Sequence, residues 1–175
     1  MNELQWIVPI IGILFSAFSI FLFLFRLQRK KQVQVIMSII TQELIDCSCT
    51  YFSNTHTISC ISDKYEYSFK MVFMPSGSEL IITNETYWCI NTNLSGWKRS
   101  TKPDLVDGVT TFLAKKPSRQ IPMKRIAILT PSAHNITRYL NESDVEIVKP
   151  GDIAYGVYFL RVQDLADFLA KLERK

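Results

Sequence analysis

The chain has 175 residues, 20 Lys and Arg against 16 Asp and Glu, and a formal net charge of +4. Four of those basic residues (Arg26, Arg29, Lys30, Lys31) and one acid (Glu3) precede position 32, which leaves 16 against 15 for the rest. The excess charge thus belongs to one short segment, which argues against a generally basic nucleic-acid-coating protein, and the length suits one cored domain better than two.

From Trp6 to Phe25 run twenty residues without a charge, WIVPIIGILFSAFSIFLFLF. At about 1.5 Å per residue such a helix covers a hydrocarbon layer of about 30 Å. A cleaved signal peptide wants its positive charge before a shorter apolar run and small residues after it. Here the basic residues follow the run, which ends in Phe21, Phe23 and Phe25, so the segment reads as an anchor. The expected division is 1–31, a single transmembrane helix with a basic flank, and 32–175, an α/β domain. Trp6 serves as an interfacial anchor and Arg26, Arg29, Lys30 and Lys31 as flank anchors, a bias that places the N-terminus outside and the domain in the cytoplasm. Four N-x-S/T sequons, at Asn84, Asn93, Asn135 and Asn141, pull the other way.

Val33, Ile36, Met37, Ile40 and Leu44 form one helical face after the flank. A strand-rich stretch follows. CSCTYF and HTISCI are short and β-branched or aromatic, and YEYSFKMVFM places Tyr65, Tyr67, Phe69, Met71 and Phe73 on one face. Pro75-Ser76-Gly77 is a turn, ELIIT and TYWCIN are strands, and the region reads as an antiparallel meander. Cys47, Cys49, Cys60 and Cys89 pair outside a cell and stay reduced inside it. The spacing C-x-C-x6-H-x3-C, through His56, lacks the C-x2-C knuckles of zinc modules, and buried thiols are preferred to a metal.

Pro103 is expected to open a helix carrying Leu105, Val106, Val109, Phe112 and Leu113. KRIAILT reads as a central strand covered on both faces, DVEIVK as a further strand, and a last helix begins near Arg161 with Val162, Leu165, Phe168, Leu169 and Leu172. The expected fold is an α/β sandwich with a mixed sheet. Phe69, Phe73, Ile82, Val109, Ile126, Ile128 and Phe168 are its expected core.

The order of elements, with MVFMPSGSELIITN, Trp97, the Pro103 helix and RIAILTP, resembles the nuclease-related domain (NERD) within the restriction-endonuclease-like fold. The likeness spans about 33–172 and implies a metal-dependent nuclease site of an Asp and a Glu-x-Lys, two carboxylates on the metal and a Lys orienting water. Counting from Gly77, the Asp position falls on Phe69 and the Glu and Lys positions on Ile82 and Asn84. The expectation is therefore a degenerate, catalytically silent member with no cofactor. A shifted alignment recruits Glu79, Glu85 and Lys70 instead, and gives a metal-dependent nuclease with displaced ligands. No phosphate loop, nucleophile elbow or H-E-x-x-H occurs, and there are only two histidines, His56 and His134.

One charge cluster stands out: Lys98, Arg99, Lys102, Lys115, Lys116, Arg119, Lys124 and Arg125 against Asp104 and Asp107. Lys98, Arg99, Lys102, Lys115, Lys116 and Arg119 are candidate contacts to phosphates of anionic lipid or nucleic acid, against the plainer reading of a solvated face. The expected function is a membrane-anchored, NERD-like adaptor or accessory subunit whose partners are the bilayer and other protein subunits. A structural subunit of a larger membrane complex is a further alternative, and a pleckstrin-like lipid-binding barrel is disfavoured by the additional strand and helix segments at 124–172.

Overall fold

The structure, a computed structural model, describes residues 4–92, 104–131, 133, 135–140 and 144–173. The chain divides into two compact units, Met1–Ser38 and Ile39–Lys175.

The described part of the first unit is helical throughout. Helix α1 (Leu4–Glu43) has 40 residues, and it is the one described helix long and apolar enough to cross a membrane. Nothing in its apolar window is buried; Phe15 is 71% and Phe21 63% exposed. Ser16 and Ser19 donate their hydroxyls to the carbonyls of Gly12 and Phe15, each at 2.9 Å. Both hydroxyl protons thus find an acceptor within the helix itself, the arrangement that suits an apolar medium. Arg29 closes the window by lying 4.5 Å over the Phe25 ring.

The second unit is an α/β fold of two mixed sheets. Its strands are β1 (Ser48–Phe52), β2 (Thr57–Ile61), β3 (Glu66–Phe73), β4 (Glu79–Ile82), β5 (Trp88–Asn91) and β6 (Asp104–Leu105). After the short helix α2 (Val109–Ala114) come β7 (Met123–Thr130), β8 (Ile136–Tyr139), β9 (Val145–Ile147), β10 (Ile153–Ala154) and β11 (Val157–Arg161), and a 3-10 turn leads into α3 (Leu165–Glu173). The larger sheet runs β1-β2-β3-β7-β11-β10 and the smaller β6-β5-β4-β8-β9. β7 is parallel to both β3 and β11. This is the central strand expected of KRIAILT, and its run of apolar residues answers burial on both faces.

Register fixes which side chains share a face. Phe69 and Met71 stand opposite Ile126 and Ile128, and Ile58 opposite Phe69. All five are buried, and so are Ile40 and Leu44 near the end of α1. The opposite face carries Val72, Ala127, Leu129, Val157 and Phe159, which pack with Leu80, Ile82 and Trp88 of the smaller sheet and with Val109 and Phe112 of α2. Trp88 lies at the centre, its ring 5.0 Å from Phe159, and its indole N–H reaches the Glu85 carbonyl at 3.0 Å. Of the expected core, Phe73 and Phe168 are only half-buried; Phe168 packs against Tyr158 at 5.0 Å.

Three expectations are corrected. The helix expected from Pro103 is confined to the six residues of α2. Leu105 instead lies in β6 opposite Cys89 and is exposed. Gly108, at φ 69°, breaks the helical run directly before Val109, because that left-handed backbone is one glycine adopts most readily. The meander is not wholly antiparallel in its setting, since β3 and β4 each take a parallel partner from the later half of the chain. Finally, the stretch before the last helix holds a hairpin, β10–β11. Its turn puts Tyr155 and Gly156 at positive φ, and it was masked in the sequence by the apolar residues that lead straight on into α3.

Candidate functional site

On β3 the apolar alternation of Tyr67, Phe69 and Met71 leaves Glu66, Ser68 and Lys70 on the other face. Period-2 reasoning places that second set in water, yet all three are buried, at 0%, 1% and 2% exposure. A polar row on a central strand beneath other elements is costly unless every group finds a partner. The two charged groups have theirs. Glu66 accepts the Ser118 amide at 2.6 Å and the Ser118 hydroxyl at 3.3 Å, and Lys115 lies 3.3 Å from its Oε1. Burial alone pushes the Glu66 carboxyl up, but the Ser118 amide and Lys115 outweigh it and hold the group below its ordinary range. Lys70 donates to the Thr55 carbonyl at 2.5 Å. Burial drives its ammonium down to about 8, against the opposing pull of Asp107. A Cβ at Gly108 would stand 3.4 Å from that Nζ, so glycine there also leaves room for the lysine.

Next to this row opens a cleft of about 710 Å³, in the size range of small-molecule sites. Its floor is β2 and β3 (Thr57, Ser59, Ser68), one side is Phe52, Asn54 and Thr55 at the end of β1, and the other is the exposed side of α2 with Thr110, Thr111 and Lys115. The β1–β2 turn is held to the sheet by the Met71 amide, which donates to the His56 carbonyl at 2.9 Å. Lys115 reaches from the helix to the floor and donates to Ser59 Oγ at 2.6 Å. Arg125 anchors the helix end through its Nη2, which donates to the carbonyls of Leu113 and Lys115 at 3.1 and 2.9 Å, a cation on the exposed carbonyls of a helix C-terminus. Of the residues lining the cleft, the sequence singled out Lys115 as a candidate anion contact but none of the hydroxyls around it. The legible signal was Glu66, Ser68 and Lys70 at period 2 within a strand whose partner face is wholly apolar.

The positions the nuclease resemblance points to fall elsewhere. Phe69 and Ile82 are fully buried core side chains. Asn84 is exposed and turns the chain, its Oδ1 accepting from the amides of Thr86 and Tyr87 at 3.0 and 2.9 Å. Of the shifted set, only Lys70 adjoins the cleft. Glu79, on the smaller sheet, accepts the Thr137 hydroxyl at 2.9 Å, and Glu85 lies in the turn that contacts Trp88.

Of the five described basic residues in the 98–125 stretch, three are engaged by the fold. Lys98, Arg99 and Lys102 lie outside the described residues. Lys115 and Arg125 are engaged as above, and Lys124 sits 3.8 Å over the Tyr65 ring. Lys116 and Arg119 are exposed. The preferred reading of buried thiols is corrected for two of the four cysteines: Cys49 and Cys60, directly opposed across β1 and β2, form a disulfide, which also takes them out of the set drawn with His56. Cys47 and Cys89 take no part in a disulfide, and Cys89 is buried. His56 contacts the Tyr51 hydroxyl at 3.2 Å and the Phe73 ring edge-on at 5.0 Å.

No protein-family model, no curated protein and no solved structure matches this chain. The nuclease-related likeness therefore stands on the residues that suggested it.

Proposed function

We propose that this chain is a single-pass membrane protein whose folded domain is catalytically silent, related in pattern to the nuclease-related domains, and acts as an adaptor or accessory subunit of a membrane-associated assembly. The observation that carries this reading is the burial of Phe69 and Ile82. Apolar side chains offer a metal no ligand, and two fully buried core positions cannot be exchanged for carboxylates without unpaired buried charge. The accessory role draws support from the outer edge of the smaller sheet, where Val145, Ile147 and neighbouring Leu140 are exposed on a strand paired through β8. Apolar residues gathered on a sheet edge suit a protein partner.

The test is divalent-dependent cleavage of single- and double-stranded DNA and RNA by the full-length protein, with Mg²⁺ and with Mn²⁺. No cleavage is expected. Cleavage that disappears in Glu79→Gln or Glu85→Gln protein would establish the alternative, a metal-dependent nuclease with displaced ligands.

Orientation has two supported readings. The flank of Arg26, Arg29, Lys30 and Lys31 favours the N-terminus outside and the domain in the cytoplasm. The Cys49–Cys60 disulfide and the exposed sequon asparagine Asn84 favour the domain on an oxidising side. Alkylation of acid-quenched whole cells with a mass-tagged maleimide separates them: four modified cysteines place the domain in a reducing compartment, two in an oxidising one.

A further inference from the structure

The cleft between β2 and α2 combines one charged group with a ring of hydroxyls and an apolar wall. Among its lining residues Lys115 alone is charged and none is a carboxylate. The nearby carboxylate, Glu66, is fully buried behind the floor, with Ser118 and Lys115 on its oxygens. An ammonium has three N–H donors. Ser59 and Glu66 engage two of those of Lys115, and the side chain is still 32% exposed. A third donor thus remains for the cleft, on an ammonium held by its ion pair with the buried Glu66 carboxylate. Ser68 and Thr111 add hydroxyls around it, and Phe52 and Phe112 supply the apolar surface.

We infer that this cleft is a binding site for a small ligand with an anionic oxygen head group, a carboxylate or a phosphate monoester, on an apolar body. The head group sits on Lys115 and accepts from the Ser59, Ser68 and Thr111 hydroxyls; the body lies along Phe52 and Phe112. Charge-assisted bonds of this kind contribute more than neutral ones, and an apolar wall with a few convergent polar groups is the usual make-up of such sites. A neutral ligand of the same shape leaves the ammonium without a charged partner and binds more weakly. The inference does not depend on whether the domain is catalytically silent, because it concerns the face of β3 opposite Phe69.

The test uses the full-length protein in phosphatidylcholine nanodiscs and titration calorimetry with phenyl phosphate, benzoate and, as the neutral control, phenol. Saturable one-to-one binding of phenyl phosphate or benzoate is expected, with phenol weaker by about tenfold or more, the scale of one charge-assisted hydrogen bond. Lys115→Gln should remove that discrimination. Because this variant strands Glu66 and can unfold the domain, Thr111→Trp provides the second arm. Thr111 is exposed, so a tryptophan there fills the cleft without displacing core, and it should abolish binding while the circular dichroism melt stays as in wild type. Nanodiscs doped with phosphatidic acid distinguish a lipid head group from a soluble ligand. A lipid source appears as slowed hydrogen exchange over 57–59 and 110–115 that Thr111→Trp erases, even where the soluble probes give no heat. Equal affinity for phenol, binding unchanged in Thr111→Trp, or no response to any soluble or lipid anion would each overturn the proposal.

Discussion

Lys70 shows how one residue escapes a pattern that is otherwise obeyed. Its neighbours Phe69 and Met71 follow the strand alternation into the core, and the same alternation sends Lys70 beneath the β1–β2 turn, where it donates to the Thr55 carbonyl. Its titration gives a signed prediction. The folded group releases its proton near pH 8 and an unfolded lysine near 10.5, so between those values the unfolded chain binds more protons and stability rises with pH. The burden of the buried charge is fully present below pH 8. Tyr51, whose hydroxyl is pushed up by burial, acts in the opposite sense at the alkaline end, so the comparison must be internal. Urea midpoints of wild type minus those of Lys70→Met should climb from pH 8 towards 10; a flat difference would mean that Lys70 is solvated. At the apolar pole, Ile128 is fully buried opposite Met71 and Leu160. Ile128→Ala should cost on the order of 2–5 kcal/mol, measured by equilibrium unfolding, as a cavity in a packed core does.

At the scale of elements, β7 was legible in sequence because a strand flanked by two parallel partners must be apolar throughout. The α2 segment was not. Its amphipathic spacing continues upstream through Leu105 and Val106, but Leu105 pairs in β6 and Gly108 interrupts the run. Pairing with β5 and a left-handed residue outweighed helical periodicity, which is a weak preference over so few turns. The hairpin β1–β2 is the element that chemistry constrains most. Cys49 and Cys60 are opposed in register and separated by 11 positions in sequence, and closing a loop of that size stabilises by about 2–3 kcal/mol in the chain-entropy account. Protein purified under oxidising conditions should lose that amount on adding a thiol reductant. Cys49→Ser protein should show no response to the reductant, and equal stability of both redox forms would remove the disulfide from the account of what holds β1 in place.

For the whole molecule, the proposed topology rests on the apolar window of α1 and the basic cluster directly after it. Moving the four basic residues ahead of Trp6 should invert or mix the topology, as read by reporter activity fused at the C-terminus, because the bias acts through charge within about 15–20 residues of the span. An unchanged orientation would mean that the folded domain, and not the flank, decides the side. The proposed catalytic silence of the domain meets its own check in the cleavage assay, whose outcome is independent of topology.

The long apolar helix, the turn at Pro75-Ser76-Gly77, the central strand β7 and the apolar faces of β3 and β7 follow from sequence alone, because each rests on local chemistry: charge-free length, turn residues, unbroken or alternating apolar runs. What only the tertiary structure decided was the fate of polar groups whose partners are distant in sequence. Glu66 is met by Ser118, Lys70 by Thr55, and Ser59 by Lys115 across 56 positions. Periodicity tells which side chains share a face but not what covers that face. The polar row of β3 therefore reads as solvent-facing in sequence and becomes the buried flank of a cleft once α2 and the β1–β2 turn close over it.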